Sequence, residues 1–136
     1  MNLIFQLGLA LALFGGNAVQ AGTKHEYLCV GTVVSETRKA VTTPTRTVVM
    51  DSEMFGKEHQ YLSEKLTNAN SEGHFEIRSD DGQIAIEVVY ISSRWGTVRS
   101  QAVALPGSQE LSLSATLSSP NGSAKGSSSL SCELND

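Results

Sequence analysis

From residue 25 onward the chain alternates apolar and polar positions with a period of two, the spacing that places every second side chain on the same face of a β-strand. The alternation is cleanest near the C-terminus. In residues 110–117, Leu111, Leu113, Ala115 and Leu117 share one face and Glu110, Ser112, Ser114 and Thr116 the other, which predicts a strand with one wet face. Residues 128–134 repeat the pattern, with Leu130, Cys132 and Leu134 set against Ser129, Ser131 and Glu133. Near the start, Tyr27, Cys29 and Val33 share one face of residues 25–35, while Leu28, Val30 and Val34 make the other face apolar too. A strand covered on both sides is expected there.

Further strands are expected at 45–51, 73–79, 83–92 and 97–105, on the alternation of Val48 and Met50, Phe75 and Ile77, Ile84 to Tyr90, and Val98 to Ala104. Turn chemistry separates them. Asp80-Asp81-Gly82 joins two alternating runs and should form a tight hairpin, because Gly accepts the positive φ of such a turn. Arg94-Trp95-Gly96, Pro106-Gly107-Ser108 and Pro120-Asn121-Gly122 mark later corners. Residues 53–66 fit both periods, since Glu58, Leu62 and Leu66 have helical spacing while Gln60, Leu62, Glu64 and Leu66 would share a strand face. A strand is favoured, with one short helix as the alternative, and residues 123–129 read as small, polar and mobile. Short loops between successive strands favour antiparallel neighbours. The expected fold is all-β: a small antiparallel meander of about eight strands, closing as a barrel or a sandwich.

Ahead of this region, residues 3–14 form an apolar run broken only by Gln6, followed by Gly15-Gly16 and by Val19-Gln20-Ala21. Small residues before Gly22 complete the signature of a secretory signal peptide cleaved after Ala21, although no Lys or Arg precedes the run. The run is short for a membrane anchor. Residues 1–21 are thus read as a cleaved signal and 22–136 as a single domain, enough chain for a modest core. Export places the protein outside the cytoplasm, periplasmic or secreted.

That compartment gives meaning to the only two cysteines, Cys29 and Cys132, because an even count after export favours pairing. One disulfide is expected, tying the first and last strands and closing a loop of roughly 100 residues worth about 4–5 kcal/mol in the chain-entropy model. The alternation sets both on apolar faces, so the bridge reads as a buried clasp, where a barrel would close or two sheets would be tied. The net charge of −4, from 10 basic and 14 acidic residues, gives no electrostatic reason to hold nucleic acid or anionic lipid. Aromatics are 6% of residues, too few for the girdles of a membrane-spanning barrel.

Residues that could carry chemistry are scattered. His25, His59 and His74 stand on separate segments without zinc-motif spacing, and no metal or cofactor is assigned. No serine lies in a Gly-x-Ser-x-Gly elbow and no Gly-rich phosphate loop exists, so no catalytic residue is assigned. Glu53, Glu58, Glu64, Glu72, Glu76 and Glu87 read as solvated acids rather than a paired-carboxylate site. The most suggestive feature is Arg94-Trp95, the chain's only Trp at a hairpin corner. Two readings are open: a lid folded onto the core, or a binding edge in which Arg94 and Trp95 anchor a partner. Asn121-Gly122-Ser123 is a formal glycosylation acceptor and also a natural hairpin turn.

Tyr27-Leu28-Cys29 and Leu130-Ser131-Cys132 resemble the ends of the bacterial periplasmic inhibitors of c-type lysozyme, which are small disulfide-closed β-barrels. The resemblance covers the two ends only. The mid-chain inhibitory segment of that family, of Ser-Gly-x-x-Tyr type, has no counterpart, and no functional residue is carried over. The expected function is an exported, non-catalytic binding or interaction domain for an extracytoplasmic protein or cell-envelope glycan. The alternatives are an inhibitor of an extracytoplasmic hydrolase such as lysozyme, and an enzyme with an unrecognised site.

Overall fold

In the computed structural model, which describes residues 23–136, nine strands follow one another and every pairing is antiparallel. They are β1 (Lys24–Val34), β2 (Ala40–Thr42), β3 (Arg46–Asp51), β4 (His59–Asn68), β5 (Ser71–Asp80), β6 (Gln83–Ser92), β7 (Gly96–Ala104), β8 (Glu110–Ser118) and β9 (Lys125–Leu134). The segment read as an export signal lies outside the described residues. In the first sheet β1 and β9 form the central pair, β8 flanks β9, and β2 and β3 lie end to end along the free side of β1. The second sheet is an unbroken meander, β4-β5-β6-β7.

Chain order alone would allow these strands to close into one barrel, but no ladder joins β3 to β4 or β7 to β8 among the described residues, so the fold is a sandwich. Side chains bridge the first of these seams instead. The Arg46 guanidinium meets the Glu64 carboxylate at 3.0 Å, and farther along β4 the Asn68 side-chain amide donates to the carbonyl of Lys39 in the β1–β2 loop at 2.8 Å. A bulge between Gln60 and Leu62, in the ladder of β4 with β5, adds local twist to β4. The break between β2 and β3 has a covalent cause in Pro44, which has no N–H to give to a ladder. Thr43 repairs it by hydrogen-bonding Gly31 twice, its N–H donating to the Gly31 carbonyl at 2.9 Å and its Oγ1 accepting the Gly31 N–H at 3.0 Å.

The core lies between the sheets, and its largest side chains, Tyr27, Tyr90 and Phe75, are fully buried. Such rings fit because small residues face them. A Cβ at Gly31 would sit 2.6 Å from the Phe75 ring, and one at Gly126 would collide with the Tyr90 hydroxyl. These clashes explain why residues 123–129, expected to be mobile, include the start of β9 instead. Ser128 is fully buried, and the run is small because Tyr90 and β5 lie against it.

Three other stretches follow the expected pattern to different degrees. The 53–66 stretch is mainly the favoured strand, β4, with the helical spacing of Glu58, Leu62 and Leu66 unused; what precedes it is a single 3-10 turn at Ser52–Met54, capped by the Asp51 carboxylate accepting the Glu53 N–H at 3.0 Å. The outer face of β1 is covered only in part; Leu28, Val30 and Val34 are half-buried, because the second sheet packs on the opposite face. Strand β2 has no alternation to reveal it, being three exposed residues paired in register with β1.

Candidate functional site

Cys29 and Cys132 are bonded, and both are buried at about 1% exposure or less. They are direct cross-strand partners in the β1–β9 ladder with Cα atoms 4.0 Å apart. The clasp therefore joins the two central strands of one sheet. It does not tie two sheets together, and its strands are not edges, because β1 and β9 each gain a second neighbour. Its position between core side chains makes it structural, and it is compatible with an oxidising, extracytoplasmic setting.

Antiparallel strands send alternate connections to opposite ends of the sandwich. One end collects the hairpin loops 35–39, 69–70, 93–95 and 119–124; the other collects 52–58, 81–82, 105–109 and the described termini. At the first end the loops are cross-braced. The Ser93 N–H donates to the Asn70 carbonyl at 3.1 Å, and the Ser92 hydroxyl donates to the Glu36 carboxylate.

Arg94 and Trp95 sit here, at the turn between β6 and β7. The Ser92 hydroxyl oxygen accepts both of their backbone N–H groups, at 3.1 and 3.2 Å, which fixes the corner. The Arg94 guanidinium lies 4.8 Å from the centre of the Trp95 ring, a cation–π contact. Trp95 is half-buried and packs away from the hydrophobic core. It lines an open hollow of about 300 Å³ with Arg94 and the β8–β9 loop residues Ser119, Pro120, Asn121, Ser123 and Ala124. The ring edge is shielded, its indole N–H being buried without a hydrogen-bond partner among the described residues, while the rest of Trp95 faces this hollow. The carboxamide oxygen of Asn121 organises that hairpin, accepting from the Ser119 hydroxyl at 2.7 Å and from the Ser123 N–H at 3.0 Å.

The histidines are not brought together. His25 meets the Asp136 carboxylate at 2.8 Å, at the opposite end of the molecule. His59 stacks edge-on against Tyr61 with ring centres 4.8 Å apart. His74 shares a hollow of about 310 Å³ on the outer face of the second sheet with Glu72 and Glu87. Both of these carboxylates hold a cation, Glu72 with Lys65 at 3.1 Å and Glu87 with Arg99. Among the described residues no group of His, Cys, Asp or Glu is arranged to hold a metal ion. Asp81 and Gly82 both take positive φ, 54° and 82°, and form the expected tight turn.

Composition hides a polarity that the topology reveals. The braced loops and the first residue of β9 carry Arg38, Lys39, Arg94 and Lys125 against one acid, Glu36. The opposite end gathers Asp51, Glu53, Glu58, Asp80, Asp81 and Asp136 against Lys24 and Lys57. There the Asp136 carboxyl is held below its ordinary 3.8, first by the hydrogen bond from the Glu26 N–H and then by His25. Burial pushes the Tyr27 and Tyr90 phenols above their ordinary 10.0. Arg38 and Lys125 were not singled out from the sequence, although placing the charges on a meander would have found them.

No known family, curated protein or solved structure matches the chain. Among the described residues, no helix is long and apolar enough to cross a membrane.

Proposed function

We propose that this protein is an exported, non-catalytic binding domain that acts outside the cytoplasm on another exported protein or a cell-envelope glycan. The observation that carries this reading is the placement of Trp95: the only Trp of the chain is spent at a braced corner beside an open hollow, away from the core. Large aromatics next to Arg, in positions fixed before binding, are the side chains that dominate interface energetics. The apolar N-terminal run and the buried disulfide support export.

An inhibitor of a hydrolase would present a rigid, freely projecting hairpin. The corner at residues 92–97 is hydrogen-bonded through Ser92, but Trp95 shares its hollow with the 119–124 loop, which favours the broader binding role.

The test is capture of the partner from the protein's own extracytoplasmic fraction by the oxidised mature chain, repeated with Arg94→Ala/Trp95→Ala. Loss of two hot-spot side chains should weaken capture by about thirtyfold or more. Unchanged affinity in a correctly folded double variant overturns the reading, as does an intact mass showing an uncleaved N-terminus in exported protein.

A further inference from the structure

A second hollow lies on the other side of the 119–124 hairpin. It lies on the outer face of the first sheet at the start of β9, where Lys125 and Ser127 stand beside Val34 of β1 and Thr116 and Ser118 of β8, while Gly126 faces the core. With Arg38 and Leu117 they enclose an open space of about 400 Å³. Val34 gives it an apolar floor, and its rim carries two cations and three hydroxyls. Neither Arg38 nor Lys125 has an ion-pair partner among the described residues.

Arg38 is held there against local preference. The β1–β2 loop closes through the Arg38 N–H donating to the Ser35 carbonyl at 2.8 Å and the Ser35 N–H donating to the Lys39 carbonyl at 3.0 Å. This turn places Arg38 at a φ of 67°, a left-handed position ordinarily given to Gly or Asn. A long cation is thus kept on the rim where a glycine would relax the backbone.

The chemistry of the rim selects the ligand. Strand β9 is hydrogen-bonded on both sides, to β1 and to β8, so a peptide cannot bind here by adding a strand. Side chains are the only recognition groups offered. Two unpaired cations call for an anionic group. Hydroxyls above a small apolar floor suit a sugar ring, which carries hydroxyls at its edge and C–H groups on its faces.

We infer that this hollow binds an anionic glycan, Arg38 and Lys125 holding a carboxylate, sulfate or phosphate while Thr116, Ser118 and Ser127 hydrogen-bond to sugar hydroxyls. The inference rests on the binding role proposed above and narrows one of its two partner classes. It uses residues separate from Arg94 and Trp95, so the two can fail independently.

Calorimetry on the oxidised mature protein tests it, with polygalacturonate as the carboxylate probe, dextran sulfate as the sulfate probe, inorganic phosphate as the free anion and neutral dextran as the control. At least one of the two polyanions should bind and dextran should not. Arg38→Gln/Lys125→Gln should weaken that binding by about tenfold or more and flatten its salt dependence, while Lys57→Gln at the opposite end should leave it unchanged. Arg38→Gly guards against misfolding, since its backbone suits glycine: it should keep or raise the melting temperature yet lose affinity. Equal binding of dextran, undiminished affinity in the double variant, free phosphate binding as tightly as either polyanion, or tighter binding of single-stranded DNA would each overturn the inference. If polyanion binding is absent while Arg94→Ala/Trp95→Ala still abolishes partner capture, this inference falls and the proposed function stands.

Discussion

The two sheets of this sandwich are built by different routes. The second, β4 to β7, is a string of sequential hairpins in which each strand pairs with the next along the chain. The first depends on β1 meeting β9, and its cysteines are 103 positions apart. A hairpin forms at the small entropic cost of a short loop, whereas joining distant strands must order the chain between them first. The disulfide lies in the sheet whose central pairing is the harder to close. The outer faces differ as well. The second sheet is covered by ion pairs such as Lys65 with Glu72 and Arg99 with Glu87, while strands β8 and β9 of the first present rows of serines.

The largest effect should come from removing the covalent link. Cys29→Ala/Cys132→Ala is expected to lose about 4–5 kcal/mol in chemical unfolding. Hydrogen exchange decides whether the contrast holds: amides of β1, β8 and β9 should lose protection before those of β5 and β6. Uniform loss across both sheets would mean that the sandwich opens as one unit and that the route of assembly leaves no trace in local stability.

A smaller effect probes how the sheets meet. Gly126→Ala drives a Cβ into the Tyr90 ring and should cost about 1–3 kcal/mol by overpacking. Gly56→Ala, in the connection before β4, meets nothing within 4 Å and should be close to neutral. Thermal melts of the two variants give the comparison. Equal melting temperatures would show that the sheets part easily at Gly126, and would remove the account of why that stretch is small.

The smallest effect concerns the end of the molecule where both described termini lie. Asp136 titrates below its ordinary value because its charged form is hydrogen-bonded by the Glu26 N–H. The folded state thus binds that proton less tightly than the unfolded chain does. Its contribution is fully present above the ordinary carboxylate range and is lost as pH falls through the lowered value. Stability measured from neutral to acid pH should show this acid-limb loss, and Asp136→Asn should remove it without changing the pH dependence above about pH 6. An identical acid limb in the variant would show that the Asp136 side-chain carboxylate does not staple β1.

How far the sequence disclosed this molecule varies by element. Strands β5 to β9 were legible because their inward residues, such as Phe75 and Ile77 or Leu111 and Leu113, recur every second position. Strand β2 was hidden because exposed edge residues need no pattern. The half-exposed outer face of β1 was misjudged because Leu28, Val30 and Val34 look like core, and only the neighbouring layers decide which apolar face is covered. For the candidate sites, Trp95 was visible as a lone aromatic at a turn. Arg38 and Lys125 were invisible as a pair, since 86 intervening residues separate them and a net charge of −4 averages them away.

By itself the sequence determined the all-β class, the placement of most strands, the apolar faces bearing Cys29 and Cys132, and the tight turn at Asp81-Gly82. These follow from backbone geometry within a few residues, where a period of two or a demand for positive φ is read directly from side-chain type. Only the tertiary structure decided that the meander stays open as two sheets, that the disulfide lies inside one of them, and that basic and acidic loops separate to opposite ends. Those outcomes depend on which distant surfaces meet, on rings that need glycines opposite them, and on strand direction, which sorts every second loop to the same end.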